Sequence, residues 1–168
     1  MKGKPRGTVA RLEALEDRER ERVAAVEAVK EEQAARALEA LEAADMAALY
    51  EHLDAQEAGG AWWAEVCRAG DALHGGPLED SAGEAARAWV RLLEDVPDGQ
   101  PYPLPPVGAA AYFEREAGQC DAVKEGAAVE VLPEGVGLEA AQTAARWSAA
   151  WWRYEAACAR AMPGAVAR

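Results

Sequence analysis

The sequence predicts an all-α protein: a compact bundle of about four helices with a long polar N-terminal helix projecting from it. The first observation is that residues 9–57 contain neither glycine nor proline and are rich in the strong helix formers Ala, Glu, Leu and Arg. The second is that later apolar residues recur three and four positions apart, between turns rich in glycine and proline. The third is that the one strand-like stretch, residues 126–137, has no partner strand, so we expect a loop there.

The long N-terminal helix can be capped by Thr8, and if unbroken to Glu57 it would be about 70 Å long. Asp45 is a plausible internal cap, which would divide the run into two helices meeting near residue 44. Between the first apolar residues lies the segment EDRERER, which is charged on every side and cannot bury a face. We therefore expect either a solvated rod that joins the bundle only at its C-terminal half, or a coiled-coil arm that pairs with another subunit. The candidate interface residues on this helix are Leu12, Leu15, Val23 and Val26.

The bundle is predicted to begin at residue 45 and end at 162, after a first region of residues 1–44 and before a tail of residues 163–168. Its second helix covers residues 61–74, and the capping-box pattern of Ser81 and Glu84 starts the next helix at Ala82. The stripe expected on that helix contains Ala85, Trp89, Leu92 and Val96.

The run QPYPLPPVG excludes helix and is predicted to bridge to a helix near residues 108–125, although such a run could also be a ligand for an aromatic groove. The last helix, residues 138–162, has an apolar seam of Ala140, Ala144, Trp147, Trp151, Tyr154, Cys158 and Ala161.

Six tryptophans are present beside a single phenylalanine. Four of them fall on the apolar stripes of their helices, where large rings fill the volume that alanines leave, so we interpret them as core: Trp63, Trp89, Trp147 and Trp151. The other two, Trp62 and Trp152, lie beside the stripes and are predicted to be exposed anchors of a protein interface.

The formal net charge of −12 argues against a general nucleic-acid binder, because an acidic surface repels phosphates. No apolar run resembles a signal peptide or a membrane span, so we expect a cytoplasmic protein, or one within a particle assembled inside the cell, without membrane contact. The three cysteines are then expected to be reduced thiols.

Metal or catalytic chemistry has only weak candidates. Cys67, Asp71 and His74 could share a helix face, but a histidine facing the helix C-terminus explains His74 better, and we predict no cofactor. Two sets of carboxylates resemble the paired ExxE and ExxD motifs of all-α nucleotide pyrophosphohydrolases of the MazG type, which bind Mg²⁺: Glu13 and Glu16 with Glu42 and Asp45, and Glu39 and Glu42 with Glu51 and Asp54. The first set has no turn between its halves, and the second is too closely spaced for two antiparallel helices.

The basic N-terminal arm is the part best suited to phosphate or to an acidic partner, through Lys2, Lys4, Arg6 and Arg11. The leading hypothesis is a non-enzymatic structural or assembly protein that contacts copies of itself or a larger protein assembly, as components of phage-like particles do. The first alternative is a nucleic-acid-associated adaptor, such as a packaging or regulatory subunit that touches DNA through the arm. The second is a carboxylate-rich metal or nucleotide hydrolase.

Overall fold

The computed structural model describes residues 6–74, 81–124 and 134–162, with the side chains of residues 6–10, 74, 81 and 82 outside that description. These three ranges are all-helical and contain no strand. Their helices are α1 (Arg6–Glu39), α2 (Ala43–Ala58), α3 (Gly60–His74), α4 (Ser81–Glu94), α5 (Ala109–Lys124) and α6 (Leu138–Ala161). The sequence-based prediction of an all-α protein is therefore confirmed.

Helix α6 lies at the centre, in contact with α1, α2, α3 and α5. Half of its residues are buried, and most of these are alanines, whose small side chains let neighbouring helices approach closely. Two apolar clusters form on it. One joins α6 to α4 and α5 around Trp89 and Phe113, and the other joins it to α2 and α3 around Val66 and Trp147.

The first two helices separate at residues 40–42, three residues earlier than a cap at Asp45 would require. Glu42 occupies the N-cap position of α2 and makes no side-chain capping bond. Asp45 is instead buried in the first turn, where its Oδ1 accepts a hydrogen bond from Nη1 of Arg153 at 2.7 Å. The prediction of Asp45 as a cap is thus wrong, because α6 supplies a charged partner for its carboxylate.

The helix α1 packs on the body over about its C-terminal half, from Arg22 to Glu39, so residues 1–44 do not project from the bundle as a whole. Nη1 of Arg22 donates to the carbonyl of Gly99 at 3.0 Å, and the Gly99 N–H donates to Oε1 of Glu27 at 2.7 Å. Further along, Lys30 is buried with its Nζ 5.1 Å from the ring centroid of Tyr102. Polar contacts, which hydrophobic periodicity does not reveal, hold this helix to the turn before α5. The side chains of residues 11–22 are all exposed.

The stripe predicted on α4 is observed only in part. Trp89 is buried as predicted, and Ala86 is buried beside it, whereas Ala85 and Leu92 are exposed. Trp89 packs on the proline-rich linker, residues 97–108, where its indole N–H donates to the carbonyl of Pro103 at 2.8 Å. This linker is not helical, as predicted.

The predictions for the start of α4 and for the loop at residues 126–137 fall largely outside the described residues. The side chain of Ser81 lies outside the described residues, so its capping box stays a prediction, although α4 begins at Ser81 itself. Most of the loop predicted at 126–137 also lies outside them, and its last four residues form a turn that leads into α6. None of the described helices is both long and apolar enough to cross a membrane.

Candidate functional site

A cavity of about 450 Å³ opens between α2, α3, α4 and α6. We call it the aromatic cavity because four of the six tryptophans line it. Its lining consists of His52, Trp63, Val66, Cys67, Gly70, Arg87, Ala144, Trp147, Ser148, Trp151 and Trp152. It lies within the size range typical of small-molecule sites, and its lining is mostly apolar with a few polar groups, as such sites are.

Helical spacing brings these residues together. On α3 the lining residues stand three and four apart, from Trp63 to Gly70, so they share one face. The α6 residues Ala144, Trp147 and Trp151 do the same, and Ser148 and Trp152 lie next to them on one side. One residue from α2 and one from α4, His52 and Arg87, complete the wall.

Three rings form a stack along one side of the cavity. The imidazole of His52 lies 5.3 Å from the indole of Trp63, at an interplanar angle of 28°, and 5.3 Å from that of Trp147. The two indoles are 6.0 Å apart. Burial lowers the pKa of His52 from its ordinary value of 6.5, so the imidazole is mostly neutral at pH 7 and adds no charge to this wall.

The guanidinium of Arg87, which lines the cavity, is paired with the carboxylate of Glu116. Nε of Arg87 donates to the hydroxyl of Tyr112 at 2.5 Å, and Nη2 donates to Glu116 at 3.2 Å. The guanidinium also lies 5.9 Å from the centroid of the Trp152 ring. These contacts fix Arg87 in place, and the nearby carboxylate of Glu116 cancels much of its field in the cavity.

The indole N–H of Trp147 is a buried donor for which none of the described residues provides an acceptor. Such a group loses its hydrogen bonds to water on folding without regaining one. Because this nitrogen has almost no accessible surface, it adds no polar contact to the aromatic cavity that other parts of the Trp147 side chain line.

Of the three proposed metal residues, the structure describes the side chains of Cys67 and Asp71. Cys67 is half-buried in the cavity wall, and desolvation together with the charge of Asp71 raises the pKa of its thiol. Asp71 is exposed, and the side chain of His74 lies outside the described residues. Across the described ranges, no three His, Cys, Asp or Glu side chains are grouped so as to hold a metal ion.

Trp151 and Trp152 on α6 differ in exposure from the prediction, with Trp151 the more exposed of the two. Trp151 is 39% exposed, so its assignment to the core is wrong. Trp152 is half-buried and stacks on Phe113 at 5.6 Å with an interplanar angle of 10°, which removes it from the exposed interface candidates. Trp62, at 42% exposure, remains one. A second stripe of α6 carries the sequence signal for this packing, in the residues Ala145, Ala149, Trp152, Ala156 and Ala159.

The free end of α1, residues 11–22, is the other candidate surface. Leu12 and Leu15 are 53% and 59% exposed, and Arg11 is exposed beside them. Two of its arginines form ion pairs within the helix, Arg20 with Asp17 and Arg22 with Glu19, both at 2.6 Å.

The remaining candidates on the N-terminal region divide between packed and undescribed positions. Val23 and Val26 are half-buried: Val23 lies beside Gly99, and Val26 lines a cavity together with residues of the proline-rich linker. Lys2 and Lys4 lie outside the described residues, as does the side chain of Arg6.

The carboxylates that resemble the pyrophosphohydrolase motifs are not brought together. Glu13 and Glu16 stand on the free end of α1, where they are exposed. Asp45 is paired with Arg153, and Oε1 of Glu51 accepts a hydrogen bond from Arg146 at 2.7 Å. Comparisons with protein-family models, with curated proteins and with solved structures give no match for this chain.

Proposed function

We propose that this is a non-enzymatic helical assembly protein that contacts a second copy of itself through the free end of α1. The observation that carries the proposal is the continuity of one helix face. Eighteen residues, about five turns, separate Leu12 from Lys30, so the two side chains point in nearly the same direction. Lys30 faces the chain's own linker and is buried there, whereas Leu12 lies beyond the last contact at Gly99 and is exposed.

The free end can stay helical without a partner, because it continues a helix that is already packed. Extending an existing helix avoids the cost of nucleation, and the two ion pairs within the segment each add about 0.2–0.5 kcal/mol. The segment is therefore ready for a partner and needs little ordering on binding.

The contact itself is expected to be modest and mostly polar. Covering the exposed parts of Leu12 and Leu15 contributes about 1 kcal/mol each, since full burial of a leucine contributes about 1.5–3 kcal/mol. The other side chains of residues 11–22 are mainly arginines and acids, so the remaining contacts are ion pairs between subunits, which salt weakens. We therefore expect assembly to decrease as ionic strength rises.

The spread of the carboxylates supports a non-catalytic role, because the acids that a metal-dependent hydrolase would group lie on the free end, at the α1–α2 break and on α2. The cavity described above is not needed for assembly, and the proposal assigns it no part.

Mass measured by light scattering at low and at physiological salt tests the proposal. The full chain is expected to form a dimer or larger species at low salt, and Leu12→Glu with Leu15→Glu is expected to return it to a monomer. The matched control, Leu53→Glu with Leu92→Glu, makes the same change at two exposed leucines of α2 and α4, away from the free end of α1, and should leave the mass unchanged. A full chain that stays monomeric at high concentration and low salt contradicts the proposal.

A further inference from the structure

We propose that the aromatic cavity binds a small, planar aromatic molecule that carries no negative charge. This site is separate from the free end of α1, since its walls come from α2, α3, α4 and α6. The inference is thus independent of the assembly proposal.

The shape of the cavity favours a flat ring system. Its walls are indole faces and an imidazole, and aromatic rings pair well in offset-stacked or edge-to-face arrangements. The cavity is open to solvent at Trp151, so a ligand can enter without unfolding of the bundle. Gly70 keeps part of the volume clear, because a Cβ added there would meet no atom within 4 Å.

The charges around the cavity disfavour an anion. The guanidinium of Arg87 is balanced by the carboxylate of Glu116, and the chain carries a net charge of −12, so an anion gains little, whereas indole faces attract cations as well as neutral rings. His52 is mostly neutral and adds no charge of its own.

Three probes that share a two-ring skeleton test these points on the full chain. They are 2-acetylnaphthalene (neutral), N-methylquinolinium (a cation) and 2-naphthoate (an anion). Binding is followed by calorimetry and by the change in tryptophan emission. We expect saturable binding of 2-acetylnaphthalene and of N-methylquinolinium, each with affinity about tenfold higher than that of 2-naphthoate.

A cavity-filling variant locates the binding. Gly70→Leu places a side chain into the open volume and should weaken 2-acetylnaphthalene binding by about tenfold or more. Gly118→Leu is the matched control, because Gly118 is also a helical glycine with open space at its Cβ but lies exposed on α5, away from the cavity. Its affinity should equal that of the parent.

A second measurement keeps the test valid if Gly70→Leu does not fold. Cys67 lines the cavity, whereas Cys120 and Cys158 are buried elsewhere, so Cys67 should react first with a thiol reagent. Saturating 2-acetylnaphthalene should slow this reaction several-fold. Absence of saturable binding, equal affinity in Gly70→Leu and the parent, tighter binding of the anion, or no protection of Cys67 would each overturn the proposal.

Discussion

Glu155 gives the clearest prediction about stability. This residue of α6 is only 4% exposed, and its Oε2 has no hydrogen-bond partner among the described residues. Burial, with a smaller contribution from the charge of Glu94, raises the pKa of Glu155 from 4.5 to about 7. The folded protein therefore holds a proton at Glu155 in the range between these values, where the unfolded chain has already lost it.

This bound proton determines whether stability rises or falls with pH. Because the folded state binds more protons than the unfolded state between pH 4.5 and 7, the contribution of Glu155 is fully present below pH 4.5 and is lost as pH rises through 7. Each pKa unit is worth about 1.36 kcal/mol, so the free energy lost is about 3 kcal/mol once the carboxyl is ionised. His52 acts in the opposite direction, since its lowered pKa makes folding more favourable as pH rises through its range.

The perturbation is Glu155→Gln, which keeps the shape of the protonated carboxyl and cannot ionise. Urea denaturation at pH 5 and pH 8 gives the free energy of unfolding of the variant and of the parent, and their difference cancels His52 and every other group. We expect the variant to gain about 2–3 kcal/mol relative to the parent between pH 5 and pH 8. Glu31→Gln, at an exposed position of α1, is the control and should show no comparable gain. The same variant–parent difference at both pH values would refute the reasoning.

Three further substitutions test the packing, each by urea denaturation. Arg153→Met removes the guanidinium that Asp45 and Asp121 share and should lower the free energy of unfolding by about 2–4 kcal/mol. Arg160→Met breaks only an exposed ion pair and should lower it by less than about 1 kcal/mol. Equal costs would contradict the stabilising role of the Arg153 ion pairs. Gly99→Ala combines a φ of +73° with a Cβ 2.7 Å from a methyl group of α1 and should cost about 2 kcal/mol or more. Gly135 has a similar φ of +76° but open space around its Cβ position, so Gly135→Ala should cost about 1 kcal/mol. Equal costs for the two variants would contradict the close contact between Gly99 and α1. Trp151→Ala should lower the free energy of unfolding by less than about 2 kcal/mol, because this indole is partly exposed. A loss of about 3–5 kcal/mol would instead indicate that the indole is part of the core.

The helices themselves were largely predictable, because propensity, turn residues and apolar spacing act locally. The end of α3 near His74 and the helix that begins just after Gly108 follow directly from the glycine and proline positions. The packing of α1 was not predictable in the same way. Its contacts with the turn at Gly99 come from Arg22 and Glu27, and a periodicity of apolar residues carries no information about polar contacts.

The faces of α6 show a different limit. Alanine is compatible with both core and surface, so in a helix made mostly of alanine the few large residues decide which face is called apolar. Trp147 and Trp151 suggested one seam, but α6 is surrounded by four helices and buries several faces at once. Trp152 belongs to the face that meets α5, where Phe113 supplies the ring it stacks on, and no local pattern indicates that partner.

The aromatic cavity was beyond sequence reasoning because its wall is built from four helices, with His52 and Trp152 a hundred residues apart. One residue nevertheless carried a local signal. Gly70 stands inside α3, where alanine would be about 1 kcal/mol more favourable for the helix. Its backbone is helical and a Cβ would meet no atom within 4 Å, so neither a strained turn nor a close approach requires glycine there. The feature of its surroundings that a larger side chain would change is the open volume between the indoles, which is why Gly70→Leu is the decisive substitution for the proposed ligand site.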